Sequence, residues 1–260
     1  MDSSGILVYR FLFGGLVLLA VLLYRREDLR LNMGDAMRVG LISLFYIGTS
    51  LATLECYKYL SSRIATSLFY TDPIWCALIG MLFLHERFSL RLTTSILLAT
   101  IGVMMMTGVF SEEIRFSWIG LAWGLASGLF YAFYLLAVPR MRIRSMPSLK
   151  LTFYVFFLAM LMLCVYEVIT KGAIPLPHGT MCWFNLFLLG LIPTAISYIC
   201  VTMSLKQIDS TLVALLGALE PVTAMVVGIM VLGDPFSLLS ILGTVLILIA
   251  VFAAPRVSGS

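Results

Sequence analysis

Charged residues are scarce in this sequence: aspartate, glutamate, lysine and arginine make up 12% of its 260 residues, against about 25% in a soluble domain. Two histidines are present, and the chain has neither a Cys-x-x-Cys pair nor a G-x-x-x-x-G-K-S/T phosphate loop. These absences argue against a metal centre, His-based catalysis and ATP hydrolysis. The net charge of +4 sits in short clusters rather than on a phosphate-binding face. We therefore expect no enzyme, no cofactor, no metal ion and no nucleic-acid partner.

Hydrophobic residues are abundant: they make up 61% of the sequence, and its mean hydropathy is +1.06. A helix needs about 20 apolar residues to cross a bilayer. We predict nine such spans, near 5–24, 37–60, 65–84, 92–110, 116–138, 151–170, 181–203, 211–232 and 237–254. The connections are short and contain turn residues, such as Ser61, Pro139 and Gly233-Asp234-Pro235. The sequence therefore predicts an all-α polytopic membrane protein with the lipid bilayer as its surroundings.

Basic residues are distributed unevenly between the two sides of the predicted spans. If the N-terminus is outside, the outer segments hold four basic residues, Lys58, Arg63, Arg115 and Lys171. The inner segments then hold twelve: Arg25, Arg26, Arg30, Arg38, Arg87, Arg91, Arg140, Arg142, Arg144, Lys150, Lys206 and Arg256. Because cytoplasmic loops are enriched in Lys and Arg, we predict a plasma (inner) membrane protein with an outside N-terminus and a cytoplasmic C-terminus.

An internal repeat runs through the chain. Thr71-Asp72-Pro73-Ile74 aligns with Leu219-Glu220-Pro221-Val222 at an offset of 221 − 73 = 148. The register continues without a gap through these pairs: Lys58 and Lys206, Ser62 and Ser210, Gly80 and Gly228, and Phe88-Ser89-Leu90 and Phe236-Ser237-Leu238. Spans 2 to 4 and spans 7 to 9 then cross in opposite directions, which makes this an inverted repeat. We place the first repeat at 1–110 and the second at 116–254.

The two repeats differ in their number of predicted spans, four in the first and five in the second. Trp118, which opens the second repeat, lies 221 − 118 = 103 residues before Pro221. Its counterpart would lie at 73 − 103 = −30, about 30 residues upstream of Met1. The nine spans are therefore expected to correspond to a ten-span architecture without its first span.

The blocks around the two acid-proline pairs resemble the two EamA repeats of the drug/metabolite transporter superfamily. They run from Asp72-Pro73 through Leu84-His85-Glu86-Arg87-Phe88-Ser89 and from Glu220-Pro221 through Leu232-Gly233-Asp234-Pro235-Phe236-Ser237. Tyr9-Arg10-Phe11 and Tyr57-Lys58-Tyr59-Leu60-Ser61-Ser62 also match. The resemblance implies a ten-helix secondary carrier with both termini cytoplasmic, a central cavity, and export or uptake of small metabolites such as amino acids. In the family, the first helix, which we expect to be absent here, helps to line that cavity.

Acidic residues inside spans are the first candidates for substrate binding or proton coupling, because a charge there costs about 2.5–3.5 kcal/mol. Glu55, Asp72 and Glu220 qualify. Asp72 and Glu220 are repeat mates, and each precedes a proline, Pro73 or Pro221, that removes a backbone donor and leaves carbonyls available. Two roles stay open for each acid: binding a substrate or proton, or accepting hydrogen bonds that hold a kink.

Basic residues near the spans have their own alternatives. Lys58 is three residues after Glu55, so the two can form an internal ion pair, or Lys58 can reach water. Lys206 is expected to extend to water at the end of its span. Arg10, inside the first span, is expected to reach the outer interface or to pair with an acid.

Aromatic residues inside spans would suit an amphipathic cavity. The candidates for substrate contact are Tyr46, Trp75, Trp123, Tyr131 and Tyr198. Tyr46 and Tyr198 are favoured because they lie in equivalent spans beside small polar residues. Core packing is the alternative for each of the five. Pro193 is a further candidate for a kink, with Pro73 and Pro221.

Gly120, Gly124 and Gly128 repeat every four residues and form one smooth helix face. This face predicts close helix packing, either within the chain or in a homodimer.

Together these features favour a secondary transporter that binds a small molecule near the bilayer midplane and works by alternating access. A proton is the candidate coupling ion, carried by Glu55, Asp72 or Glu220. The alternative is a truncated, non-transporting membrane fragment, or a scaffold or dimerising membrane protein.

Overall fold

Helices account for the regular structure of the computed structural model, which describes residues 3–85, 89–107, 117–141, 145–227, 229–230 and 238–254. Within these ranges the chain forms nine apolar helical spans and no strand. Seven of the spans are long and apolar enough to cross a membrane, and two, Leu90–Met106 and Leu238–Ala253, are shorter. The predicted fold class is confirmed, and each of the nine predicted spans corresponds to an apolar helical segment, of which seven are long enough to cross a membrane.

Six of the spans are single helices. These are α1 (Ser3–Tyr24), α2 (Met33–Cys56), α5 (Leu90–Met106), α6 (Trp118–Arg140), α7 (Ser148–Lys171) and α12 (Leu238–Ala253). The other three are interrupted. They comprise α3 (Ser62–Phe69) with α4 (Asp72–Leu84), α8 (Thr180–Gly190) with α9 (Ser197–Ser204), and α10 (Ser210–Gly217) with α11 (Leu219–Val227).

A proline lies at each of the three interruptions. Pro73 is in the first turn of α4 and Pro221 in the first turn of α11, while Pro193 lies in a π-helical turn, Leu191–Ile196, between α8 and α9. Proline has no N–H and clashes with the preceding turn, so an α-helix cannot continue through it unchanged. Pro139 lies inside α6 rather than in the turn that we predicted. Pro139 cannot donate to the carbonyl oxygen of Leu135, which accepts from Ser210 Oγ at 2.8 Å instead.

Connections and caps follow local rules where the structure describes them. Ser61 caps α3, and its side chain accepts from the backbone N–H of Ile64. Several residues on which the repeat and turn predictions rest lie outside the described ranges: Glu86, Arg87, Phe88, Gly228, Leu232, Gly233-Asp234-Pro235 and Phe236-Ser237.

The chain divides into two compact units, and its three points of division fall within α2, within α6 and between α9 and α10. The first unit consists of Met1–Leu51 and Leu136–Gln207, and the second of Ala52–Leu135 and Ile208–Ser260. Each unit contains segments from both sequence repeats.

In the first unit, α1 packs against α7, α8 and the π-helical turn. Gly14 permits this approach: a Cβ there would lie 3.1 Å from the carbonyl oxygen of Gly190. The connection between α1 and α2 is held to α7, because Lys150 Nζ donates to the carbonyl oxygens of Asp28 and Arg30 at 2.5 and 2.8 Å. Backbone carbonyl oxygens thus accept hydrogen bonds from the charged Lys150 side chain at the start of α7.

In the second unit, α5 and α12 pack closely along two facing glycines. A Cβ on Gly102 would lie 2.7 Å from the carbonyl oxygen of Gly243, and one on Gly243 would lie 2.5 Å from that of Gly102. The apolar core around them includes Ile96, Val103 and Ile247, and it extends to α4 and α10.

Candidate functional site

Acidic residues open two of the broken helices of the second unit. Asp72 begins α4, one residue before Pro73, and is 2% exposed. Glu220 takes the matching place in α11, one residue before Pro221, and is exposed. A carboxylate in the first turn of a helix is stabilised by the unpaired N–H groups there. This local preference explains why both acid-proline pairs begin a helix.

Asp72 and Glu220 lie on neighbouring elements, because α4 packs against α10, which directly precedes α11. Tyr70, two residues before Asp72, belongs to the apolar core against which Leu219 and Val222, on either side of the Glu220-Pro221 pair, also pack. Asp72 is buried beside this core, whereas Glu220 is exposed. The structure thus brings together the two acids that the sequence relates by repeat symmetry.

Three of the aromatic candidates also belong to the second unit. Trp75 lies in the first turn of α4, and its buried indole N–H has no hydrogen-bond partner among the described residues. The ring of Tyr131 stacks on that of Tyr134 and lies 5.3 Å from that of Phe69. Trp123 is exposed on α6. Tyr131 therefore has packing partners inside the chain, whereas the indole N–H of Trp75 could still donate to a bound molecule.

Glu55 and Lys58 form an ion pair, with Lys58 Nζ 2.6 Å from Glu55 Oε1. The pair lies at the end of α2. The Lys58 side chain is well exposed and that of Glu55 partly buried. Lys58 therefore both pairs with Glu55 and reaches water, so the two alternatives expected for this residue occur together.

The glycine face of α6 packs against residues of its own unit. A Cβ on Gly120 would meet Tyr59 and Leu60, one on Gly124 would meet Leu68 and Cys56, and one on Gly128 would meet Thr71 and the carbonyl of Phe69. The glycine face, on which the homodimer prediction rested, is therefore packed against residues of the same chain. It places α6 directly against the break between α3 and α4.

Tyr46 and Tyr198 meet in the first unit, where their ring centroids are 4.7 Å apart in an edge-to-face arrangement. Phe11 and Phe156 complete an aromatic cluster around Tyr46. Tyr46, Phe11 and Phe156 are buried, and Tyr198 is half-buried. Of the two favoured tyrosines, Tyr198 therefore has more surface left for a ligand.

Arg10 contacts the π-helical turn of the same unit. Its Nε donates to Thr194 Oγ1, and its Nη2 donates to the carbonyl oxygen of Pro193 at 3.3 Å. Thr194 Oγ1 in turn donates to the carbonyl oxygen of Leu189 at 2.7 Å, a carbonyl that Pro193 cannot serve because it has no N–H. Among the described residues Arg10 has no acidic partner. The expected pairing with an acid is therefore not seen in the described part of the chain, and the expectation that Arg10 reaches the outer interface stays a prediction.

Glu167 is an intramembrane acid that the sequence reasoning missed. It is 0% exposed on α7; Oε1 accepts from Lys171 Nζ at 3.0 Å, and buried Oε2 has no partner among the described residues. Lys171 also donates to Ser4 Oγ on α1 at 2.5 Å. The i, i+4 spacing of Glu167 and Lys171 was the available signal, and it is the same kind of signal that identified Glu55 and Lys58.

Lys206, just past the end of α9, donates to the carbonyl oxygen of Met146. Burial lowers the pKa of Lys206 from its ordinary value. The side chain thus folds back onto the protein rather than extending freely into water. Within the described ranges no three His, Cys, Asp or Glu residues lie close enough to hold a metal ion.

Comparison with known proteins extends over the whole of this architecture. The model of the EamA-like transporter family matches residues 1–108 and 118–254. An "Uncharacterized transporter" of Archaeoglobus fulgidus is 26% identical over 255 residues, which is 98% of this chain and 87% of that protein. A protein of the same printed name from Clostridium kluyveri is 23% identical, over 96% of this chain and 82% of that one.

A third relative, "Uncharacterized transporter YxxF" of Bacillus subtilis, is 24% identical over 91% of this chain and 74% of its own length. A solved crystal structure superposes with a TM-score of 0.84 over 98% of this chain and 89% of that chain, at 18% identity, and therefore shares the fold. The family match covers both acid-proline breaks as well as the helices around them. The chain belongs to the EamA-like transporter family and is a multi-pass membrane transporter of the drug/metabolite type.

Proposed function

We propose that this transporter moves a small organic metabolite, such as an amino acid, across the plasma membrane by alternating access. We further propose that Asp72 and Glu220 carry a proton that is coupled to the movement. The observation that carries the proposal is the placement of these two acids on neighbouring elements of one unit, each at the start of a helix that follows a break. The resemblance to carriers of small metabolites supports the class of substrate.

The chemistry of the pair supports a proton-binding role. Asp72 is buried and Glu220 is exposed, so the two carboxyl groups differ in their access to water. A charge inside a membrane span is costly, and buried Asp72 has no ion-pair partner among the described residues. A buried carboxyl group of this kind is suited to binding a proton, and its repeat mate Glu220 provides a second carboxyl group with access to water.

The broken helices supply the backbone chemistry for such a change. Transporters commonly place substrate and ion sites where helices are interrupted, since the freed carbonyls and N–H groups can bind a polar ligand. Here the interruptions lie at Pro73, Pro193 and Pro221. We propose these three prolines as the flexible points of the transport cycle.

The experiment is uptake of radiolabelled amino acids into proteoliposomes with and without an imposed pH gradient. Asp72→Asn, Glu220→Gln and Glu55→Gln are compared singly and as a triple variant. We expect Asp72→Asn or Glu220→Gln to abolish accumulation driven by the gradient while exchange of labelled for unlabelled substrate continues. Glu27→Gln, in the exposed connection after α1, is the matched control.

Two results would contradict different parts of the proposal. If the triple variant retains the full pH dependence of the wild-type flux, the proton-carrier role of these acids is wrong. If the wild-type protein takes up none of the amino acids, the substrate class is wrong.

A further inference from the structure

We propose that Arg10 binds the carboxylate group of the transported substrate, which makes the substrate a small organic monoanion or zwitterion. The inference deepens the proposed function and rests on it.

The guanidinium group of Arg10 lies within the membrane-spanning length of two helices. Arg10 is the seventh residue of the 21-residue span Ser4–Tyr24, and Thr194, which accepts from its Nε, is the fifteenth residue of the 25-residue span Thr180–Ser204. The carbonyl oxygen of Arg10 lies level with Gly190, 3.0 Å from where a Cβ on that glycine would be. The side chain therefore extends from the level of Gly190 to that of Thr194, about one helical turn along the same span.

The charge at this depth is not neutralised within the described part of the chain. The two hydrogen bonds of Arg10 go to a hydroxyl and to a carbonyl oxygen, neither of which carries a charge. A guanidinium has five N–H donors, so three of them stay available. Arg10 is half-buried. Lipid cannot solvate such a group, and an arginine inside a membrane span normally serves a pathway or a ligand.

The two bonds that are present fix the orientation of the guanidinium. They use Nε and Nη2 against the π-helical turn, so Nη1 and the second proton of Nη2 are directed away from Thr194 and Pro193. A planar carboxylate takes two parallel N–H bonds from such a fork. Lipid headgroups lie outside the hydrocarbon core, beyond the ends of both spans.

The surroundings suit a carboxylate that is attached to an apolar body. Tyr198 follows Thr194 by one turn and is half-buried against Tyr46. Trp183 lies edge-on to Tyr9, the residue before Arg10, and to Phe13, with ring centroids 5.5 and 6.1 Å apart. Aromatic walls beside a single charged anchor are typical of sites for small amphipathic ligands. One guanidinium also balances the charge of one carboxylate.

The test compares acids with their uncharged amides in proteoliposomes. The probes are leucine and phenylalanine, each offered as the labelled amino acid and as the amide. We expect the wild-type protein to carry the acids and not the amides. Arg10→Gln should raise the KM for the acids by about 10- to 100-fold, the range for loss of a charged hydrogen bond. Arg10→Lys, which keeps the charge but not the fork, should give an intermediate KM.

Two further variants separate binding from folding. Arg38→Gln removes a guanidinium that pairs with Asp35 at 2.8 Å in the same unit, and it should leave the KM unchanged. Thr194→Val removes the Nε acceptor but keeps the charge, and it should lower the melting temperature while preserving the preference for acid over amide. If Arg10 only held the π-helical turn in place, its substitution would alter stability without altering the preference for acid over amide.

Each remaining outcome has a definite meaning. If the wild-type protein carries acids and amides equally, or if Arg10→Gln folds and keeps the wild-type KM for acids, the inference is wrong while the transport proposal stands. If the wild-type protein carries neither, the proposed function fails for this substrate class and the inference falls with it.

Discussion

Glu167 and Lys171 show how unequally the two members of an intramembrane ion pair depend on each other. The Glu167 side chain is 0% exposed and that of Lys171 is 35% exposed. A lysine without its acid can turn to water, whereas a fully buried carboxylate without its cation stays in an apolar environment or takes up a proton.

We therefore predict that Lys171→Met destabilises the protein more than Glu167→Gln does. Removing one partner of a buried pair costs about 3–5 kcal/mol, and the partial exposure of Lys171 places this variant at or below the lower end of that range. Adding Glu167→Gln to Lys171→Met should restore part of the loss. Thermal unfolding in detergent measures all three; equal losses for the two single variants would contradict the asymmetry.

Lys206 gives a prediction about pH. Burial lowers its pKa in the folded protein below the ordinary value of 10.5 that it has in the unfolded chain. Between those two values the unfolded state binds more protons, so the free energy of unfolding rises with pH across that window. At pH values below this window Lys206 is charged in both states, and the full free-energy cost of burying its charge lowers the stability of the fold.

Two variants lack this titration. The side chain in Lys206→Met is never charged, and the side chain in Lys206→Arg stays charged throughout this pH range. The wild-type melting temperature should therefore rise relative to both variants as the pH increases from neutral towards 10.5. Parallel pH profiles for all three proteins would show that the Lys206 amine titrates alike in the folded and unfolded states.

At the scale of elements, the contact of α5 with α12 depends on two glycines that face each other. A methyl group on either would lie 2.5–2.7 Å from the backbone carbonyl of the other, and backbone atoms cannot rotate away as a side chain can. We predict that Gly102→Ala and Gly243→Ala each destabilise the protein by about 1–3 kcal/mol, the usual cost of overpacking.

Gly40→Ala is the matched control for this contact. Gly40 lies inside α2, and a Cβ there has no heavy atom within 4 Å. The added methyl should be neutral or stabilise the helix by up to about 1 kcal/mol, because alanine is the better helix former. A loss of stability in Gly40→Ala equal to that in Gly102→Ala would mean that packing between α5 and α12 is not the cause.

The elements themselves could be predicted from the sequence, because each span is a run of apolar residues long enough to cross a bilayer. The acid-proline pairs marked two of the three helix breaks, and the repeat register related Asp72 to Glu220. The sequence predicted a kink at Pro193 but not the hydrogen bonds around it. Thr194 donates to the carbonyl that Pro193 leaves unpaired and accepts from Arg10. The bond to Arg10 depends on which helix packs beside the π-helical turn. Hydropathy carries no information on that neighbour.

The same limit explains the acid that was missed. Glu167 lies inside a predicted span, but its importance rests on complete burial against α1 and on Lys171 bonding to Ser4, contacts between residues 167 positions apart. Spacing along one helix can suggest the pair. It cannot show that one oxygen of the acid is left unpartnered in the core.

At the scale of the whole molecule, the orientation in the membrane is a prediction from charge. Twelve basic residues fall on one side of the alternating spans and four on the other, and cytoplasmic segments attract the larger number. This predicts that the connection between α1 and α2 is cytoplasmic and that the connection between α7 and α8 faces outside.

Two exposed positions test this orientation with a membrane-impermeant maleimide on intact cells. Asn32 lies in the first connection and His178 in the second. In a background with all five cysteines replaced by serine, His178→Cys should be labelled at once, whereas Asn32→Cys should be labelled after the cells are permeabilised. Both positions are exposed within the chain, so a difference in labelling reports the side of the membrane rather than burial. The reverse pattern would invert the topology, and the basic residues would then lie mainly outside, against the charge distribution that governs insertion.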